Sequence, residues 1–242
     1  VDPTLDLGRG APAPSNEEIW RQHGLDRIVS RVVERSGTDD SLHVVRRYSA
    51  ANSAATMVVD EHWSARDGEV LLRVDVTPGH GWEFVIPRIG IRLDLPDDVD
   101  GAAWFGTGPH DSYPDSRRSV RVGRFEAPID ELTVPYARPQ ESGHRSDLRE
   151  LTLRRAGADW LRIAAFPDVK GRLPGFTLTR HTAQDLAAAD HPHEVRDSGH
   201  HYLYLDAAQH GLGSRACGPD VWPDWMLHAQ ARTMEFAIAS AG

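Results

Sequence analysis

The sequence predicts an all-β protein, a large antiparallel β-sandwich with one or two short helices, and three observations carry that prediction. From about Leu42 onward, apolar and polar residues alternate with a period of two in run after run, which is how a strand with one buried face reads. Turn signals such as Pro78-Gly79, Pro96-Asp97-Asp98 and Ala156-Gly157 separate these runs at short spacing. Only two segments read as helical, so two large packed antiparallel sheets are favoured over a parallel α/β architecture.

Residues 1–14, rich in Gly, Pro and Ala and without hydrophobic period, read as an extended loop. Ser15 is followed three residues later by Glu18, a capping-box spacing that opens a helix over Asn16–His23 with Ile19 and Trp20 on its buried side. Val70, Leu72, Val74 and Val76 alternate with Leu71, Arg73, Asp75 and Thr77, and Ile89, Ile91, Leu93 and Leu95 alternate with Gly90, Arg92, Asp94 and Pro96. The same pattern predicts strands over Thr56–His62, Asp147–Arg154, Leu161–Phe166, Gly175–Arg180, His201–Leu205 and Met226–Ile238, with a second short helix near Ala183–Ala189. No internal repeat, low-complexity tract or long linker divides the chain, so residues 1–242 read as one domain.

Composition narrows the functional classes. Apolar residues make up 40% and charged residues 26%, the balance of a soluble globular protein. Acidic residues outnumber Lys and Arg by 36 to 27, and the net charge of −9 opposes broad attraction to nucleic acid or anionic lipid. No run approaches the roughly 18 apolar residues that span a bilayer, and the N-terminus lacks the basic start and apolar core of a signal peptide. The single cysteine, Cys217, allows neither an internal disulfide framework nor a Cys-rich zinc site, and the cytoplasm is the expected compartment. A start at Val1 with a short polar lead-in suggests a piece of a longer polypeptide.

The densest motif is Trp104-Phe105-Gly106-Thr107-Gly108-Pro109-His110-Asp111-Ser112-Tyr113-Pro114-Asp115. Pro109 and Pro114 oppose the helix that a nucleotide-binding Gly loop needs. A packed strand-to-loop segment anchored by its aromatics is the plain reading. A sugar-facing loop carrying Trp104, His110, Tyr113 and Asp115 is the alternative. A second cluster, Val134 to Arg149, interleaves Arg138, Arg145 and Arg149 with Glu141 and Asp147, either as a hydrogen-bonded network or as a sugar or anion site. His191-Pro-His193 and His200-His201 lack the spacing of a metal site. Glu131, Glu141, Glu150, Glu194 and Glu235 are candidate glycosidase carboxylates in principle, but none stands in a context that pairs an acid with a nucleophile. Nor is there a G-x-S-x-G elbow for a serine nucleophile.

Taken in order, these segments resemble the C-terminal small-chain domain, domain 5, of the long β-galactosidases of glycoside hydrolase family 2. The resemblance rests on Pro87-Arg88-Ile89-Gly90, on Trp104 to Asp115 with Asp111-Ser112 in place of Glu-Asn, and on Pro135 to Arg149 with Ser142 in place of Asn. It continues through His210-Gly211-Leu212-Gly213 and Cys217-Gly218-Pro219, and more loosely through Asp6 to Gly10. It implies a galactose mutarotase-like supersandwich without catalytic residues or cofactor of its own. The two catalytic glutamates of such enzymes lie in a separate barrel, and their Mg²⁺ and Na⁺ sites lie mostly outside this domain.

The implied role is to brace that barrel, to contact the other domains and a possible second copy of the chain, and to lend a loop to the wall of a galactoside site. The implied wall residues are Cys217, where many relatives keep Trp, with Trp222 or Trp225 as a replacement platform, and Gly10 in the opening loop. Two other functions stand beside this one. A free carbohydrate-binding module would stack sugar on Trp104, Tyr113 or Trp222, and a mutarotase-like epimerase is suggested by fold analogy alone.

Overall fold

Alternation in the sequence becomes two facing sheets in the computed structural model, which describes residues 14–213 and 220–241. Among these residues there are twelve strands: β1 (Val29–Thr38), β2 (Ser41–Ser49), β3 (Thr56–Arg66), β4 (Glu69–Pro78), β5 (Arg88–Pro96), β6 (Val99–Gly108), β7 (Arg121–Pro128), β8 (Glu150–Arg155), β9 (Ala158–Phe166), β10 (Gly175–Thr179), β11 (His200–Gln209) and β12 (Arg232–Ser240). Nine form one sheet in the order β1-β2-β3-β4-β12-β9-β8-β6-β7, and three form the other in the order β10-β11-β5. All strand pairs are antiparallel. The predicted sandwich is therefore present, but one sheet is large and the other small.

The core lies where the small sheet covers the middle of the large one. Leu72, Val74 and Val76 of β4 meet Phe236 of β12, Leu151 and Leu153 of β8, and Phe176, Leu178 and Leu203 of the small sheet in one buried cluster. Trp104 on β6 joins it, 3% exposed, with its ring between those of Phe125 and Phe176.

Two of the tight turns follow from backbone geometry that few residues adopt. Ala156 and Gly157 sit at φ of 50° and 77°, and Asp67 and Gly68 at 54° and 81°. Two consecutive positive φ values are what a two-residue hairpin loop needs to match strand twist. The signal Pro96-Asp97-Asp98 does something else, carrying the chain from the small sheet at β5 to the large one at β6.

The helix expected over Asn16–His23 is α1 (Asn16–Gln22), and Ser15 and Glu18 form the capping box. Trp20 is half-buried, and its indole N–H donates to the Val85 carbonyl at 2.7 Å. The second helix, α2 (Ala183–Ala187), is capped in the same way by Thr182 and Asp185.

The differences from the expected elements have local causes. β1 escapes an alternation test because every one of its residues is exposed at the sheet edge and its register shifts between Val32 and Glu34. β7, at the other edge, alternates exposed with only partly buried residues, and Phe125 and Ala127 turn toward the core. β8 starts at Glu150 rather than Asp147 because Asp147 has a φ of 54°, and Leu148 N–H turns aside to the Pro174 carbonyl. The predicted strand from Met226 begins only at Arg232. Leu227 is occupied elsewhere: its N–H donates to His210 Nδ1 and its carbonyl accepts from Ile86 N–H. No helix among the described residues is long and apolar enough to cross a membrane.

Phe236 is 1% exposed and Val29 is 66% exposed. Phe236→Ala should cost about 3–5 kcal/mol by leaving a cavity, whereas Val29→Ala should stay within about 0.5 kcal/mol. Urea unfolding reads both, and equal midpoints for the two variants would contradict this placement of the core.

Candidate functional site

The sequence motifs, far apart along the chain, meet at one end of the small sheet. Loop residues 109–116 follow β6, and loop residues 132–149 follow β7. Thr107 Oγ1 lies 2.6 Å from Ser112 Oγ, Ser112 Oγ lies 3.0 Å from Ser146 Oγ, and Thr107 Oγ1 donates to the Ser146 carbonyl at 2.7 Å. Backbone bonds run alongside, from Ser112 N–H to the His144 carbonyl and from Thr107 N–H to the Ser146 carbonyl.

Arg145 locks this junction. It is 3% exposed, and its guanidinium donates to the carbonyls of Leu132, Gly143 and Pro109 at 2.8, 2.7 and 3.1 Å while lying 5.0 Å from the Trp104 ring centroid. Burial lowers its pKa to about 10, against the opposing pull of Asp111 and the Tyr113 phenol. Its backbone also pairs in both directions with Phe176 of β10, so the loop covers the edge of the small sheet that would otherwise be open. Gly143 must be glycine: it has a φ of 87°, and a Cβ there would strike the Leu132 carbonyl.

A second buried charge sits beside the first. Arg88, at the start of β5, donates through Nε and Nη2 to the Asp206 carboxylate and through Nη1 to Glu141 at 3.1 Å, with its guanidinium 4.1 Å over the Tyr204 ring. Gln209 Nε2 donates to Asp206 at 3.0 Å, and His144 Nδ1 lies 3.4 Å from it. Burial opposes the charge on Asp206, yet Arg88 and His144 hold its carboxyl below the usual range. Burial likewise works against the Arg88 cation, but Asp206 and Glu141 raise its pKa.

The third motif joins through Asp115, whose Oδ2 accepts from Gly213 N–H at 2.9 Å. A Cβ on Gly213 would come within 2.5 Å of the Val221 nitrogen, so glycine alone permits this approach. Val221 is buried, but its neighbour Trp222 is 68% exposed and Trp225 is 42% exposed. The Gly211 N–H donates to the Trp225 carbonyl, and His210 accepts from Leu227 N–H, with burial keeping that imidazole's pKa low.

The predicted residues thus divide by place. Trp104, Tyr113 and Arg145 are buried and brace the loops, with Tyr113 against the His144 ring. Burial raises the Tyr113 pKa well above that of a free phenol. His110 and Asp115 are exposed, and Arg138 is drawn off to a solvent-exposed pair with Asp190 at 3.3 Å. Glu141 lines a cleft of about 340 Å³ together with Arg88, Thr177, Arg180, Tyr136 and Tyr204. Cys217 and Gly10 lie outside the described residues. Four of the candidate carboxylates are each engaged separately: Glu141 by Arg88, Glu150 by Arg124, Glu235 by Arg73, and Glu194 by the Asp190 and His191 N–H groups.

Of the histidines, His201 is a buried structural group bonded to Val99 and Arg180. Asp206 and its partner Arg88 were not singled out as site residues, although a lone acid inside the apolar run Tyr202 to Ala208 was a signal of a buried partner.

Fold and site together define a two-sheet β-sandwich that invests its buried charges in rigid loops and presents aromatic rings at one edge. The chain belongs to the beta galactosidase small chain family, whose profile matches residues 4–239. A beta-galactosidase of Arthrobacter sp. (strain B7) is 55% identical over 240 residues, covering 99% of this chain and 24% of that protein. The beta-galactosidase of Kluyveromyces lactis is 37% identical over 154 residues, covering 63% of this chain and 14% of that protein. The chain therefore spans about a quarter or less of these relatives. A solved Escherichia coli K12 protein described as an aldose 1-epimerase overlaps 87% of this chain and 68% of its own at 13% identity and a TM-score of 0.40, too loosely to carry an argument.

Removing one member of a buried ion pair typically costs about 3–5 kcal/mol, so Asp206→Asn should destabilise the chain by roughly that at pH 7. The folded pKa of Asp206 is depressed, so its contribution is complete above the ordinary value of 3.8 and fades as pH falls through the lower folded value. Denaturation at a series of pH values should show the gap between wild type and variant closing in acid. A gap constant with pH would contradict the role assigned to this carboxylate.

Proposed function

We propose that this chain is the bracing, non-catalytic domain of a longer, cytoplasmic, retaining β-galactosidase that hydrolyses terminal β-D-galactosides. The observation that carries the reading is the motif junction itself. Its charged and hydroxyl groups are consumed in fixing loops to the sandwich, through Arg145, Arg88–Asp206 and Thr107–Ser112–Ser146. Retaining hydrolysis instead needs two carboxyl groups about 5 Å apart and free to act on a sugar. The separately engaged glutamates favour a role in support, with the acid and nucleophile supplied by another part of the polypeptide.

On this reading the edge bearing Trp222 and Trp225 faces the galactoside, with Cys217 and Gly10 contributed from the adjoining segments. The exposed valines of β1, Val29 at 66% and Val33 at 60%, fit a surface that docks on another domain or a second copy. A freely acting carbohydrate-binding module is the second reading, favoured by the 68% exposure of Trp222 beside polar loop atoms.

The purified chain should not turn over a chromogenic β-galactoside, while the longer polypeptide should; robust turnover by the chain alone, free of host enzyme, would overturn the proposal. Saturable heat on titrating the chain with galactose or lactose would favour the binding module instead. In the longer polypeptide, Trp222→Ala should raise KM by roughly 2- to 10-fold with little change in kcat, as expected for loss of an aromatic stack of about 0.5–1.5 kcal/mol. An unchanged KM would remove Trp222 from the sugar site.

A further inference from the structure

One cluster away from the motif loops has the chemistry of a ligand set. His43 on β2 and His62 on β3 are direct cross-strand partners, and their imidazole rings stack 4.3 Å apart at an interplanar angle of 8°. Asp60 lies two residues before His62 and so shares its face. Its Oδ1 is 2.8 Å from His43 Nε2 and 3.0 Å from His62 Nε2. The three ligand atoms lie within 4.8 Å of one another, an arrangement that occurs once among the described residues.

This is the outer face of the large sheet. The neighbouring Trp63 opposes the buried Leu72 on the core side, whereas His62 opposes Arg73. The side chains of His43, Asp60 and His62 are 28%, 37% and 51% exposed, so an ion can reach them. Arg73 does not add a bare positive charge, since Asp75 and Glu235 both pair with it.

The register shift in β1 adds a fourth residue. Val32 opposes Arg46, but Glu34, not Val33, opposes Val45. Without that extra residue Glu34 would oppose Val44 and point to the other face; with it, Glu34 shares the face of Val45 and His43. Its Oε1 lies 3.9 Å from His43 Nδ1. This is longer than a hydrogen bond, but a small rotation of the Glu34 side chain would close it, and a carboxylate there holds the proton on Nδ1 and leaves Nε2 as the donor to the ion.

We propose that His43 Nε2, His62 Nε2 and Asp60 Oδ1 form a surface site for a borderline divalent metal ion of the Zn²⁺ type, with Glu34 orienting His43. Two imidazoles and one carboxylate, with a fourth position open to water, form a familiar tetrahedral zinc set. Mg²⁺ and Na⁺ do not fit, because hard cations take oxygen ligands and two of the three donors here are nitrogens. Both Nε2 atoms lie within hydrogen-bond distance of the same Asp60 oxygen. The ion would replace those two contacts with bonds and clip β2 to β3 near the free edge of the sheet.

Calorimetric titration of the chain with Zn²⁺ tests this, together with the ring-nitrogen NMR shifts of His43 and His62. The expected result is one saturable equivalent that moves both Nε2 resonances and raises the thermal midpoint. His43→Gln and His62→Gln should each weaken that binding at least tenfold, with metal-free far-UV circular dichroism unchanged. Glu34→Gln should weaken it by about tenfold while keeping the stoichiometry. No saturable binding up to millimolar Zn²⁺, or binding that persists unchanged in the histidine variants, would overturn the proposal. So would saturable binding that leaves the two Nε2 resonances in place.

Discussion

Arg145 carries its charge where, among the described residues, no carboxylate forms an ion pair with it; three backbone carbonyls take that place. Those carbonyls belong to Pro109, Leu132 and Gly143, on the two loops that hold most of the chain's distinctive residues. Magnitudes indicate what such an arrangement does. Each hydrogen bond to a charged group is worth about 1.5–3 kcal/mol net, while taking the charge out of water costs several kcal/mol. The stability gained is small; what is gained is position, since the Nη1 and Nη2 donors reach all three carbonyls only with the two loops in this arrangement. Arg88 acts similarly from the small sheet, joining β5, β11 and the Glu141 loop through one guanidinium.

These two cations connect the sandwich to its edge. With the loops fixed, Asp115 can hold Gly213, the segment after β11 is set against Val221, and Trp222 and Trp225 stand outward. The hydroxyl group of Ser112, in a position where the family resemblance led one to expect Asn, is fully buried between Thr107 and Ser146 and completes the same junction. The motifs are thus physical devices for loop placement. That explains how a domain can carry so many polar residues of apparent chemical promise while leaving few of them free.

The sequence disclosed strands buried on one face, because burial writes a period of two: β4 and β5 are close to where alternation put them, as are the runs over β3 and β9, and β11 was legible from its apolar residues although both its faces are buried. It was silent about two strands whose faces are alike, although it placed the equally two-faced β10. β1 is exposed along its whole length and β6 is largely buried, so neither alternates. The capping boxes at Ser15 and Thr182 illustrate the opposite case, a local rule that tertiary packing left intact. For the site, the motif residues were legible and their roles were not. Whether Trp104 or Tyr113 faces sugar or core depends on contacts with residues far along the chain, and the pairing of Arg88 with Asp206 spans 118 positions. The His43–Asp60–His62 grouping was equally hidden, since it exists only through strand register.

Amide hydrogen exchange on Arg145→Met tests the dependence of the loops on this one guanidinium most directly. The account predicts that Ser112, Thr107 and Gly143 N–H groups, which bond to His144, Ser146 and Asp111, lose protection together, while amides of the central strands β4 and β12 keep theirs. Protection unchanged at the loop amides, or lost evenly across loops and core strands, would contradict it.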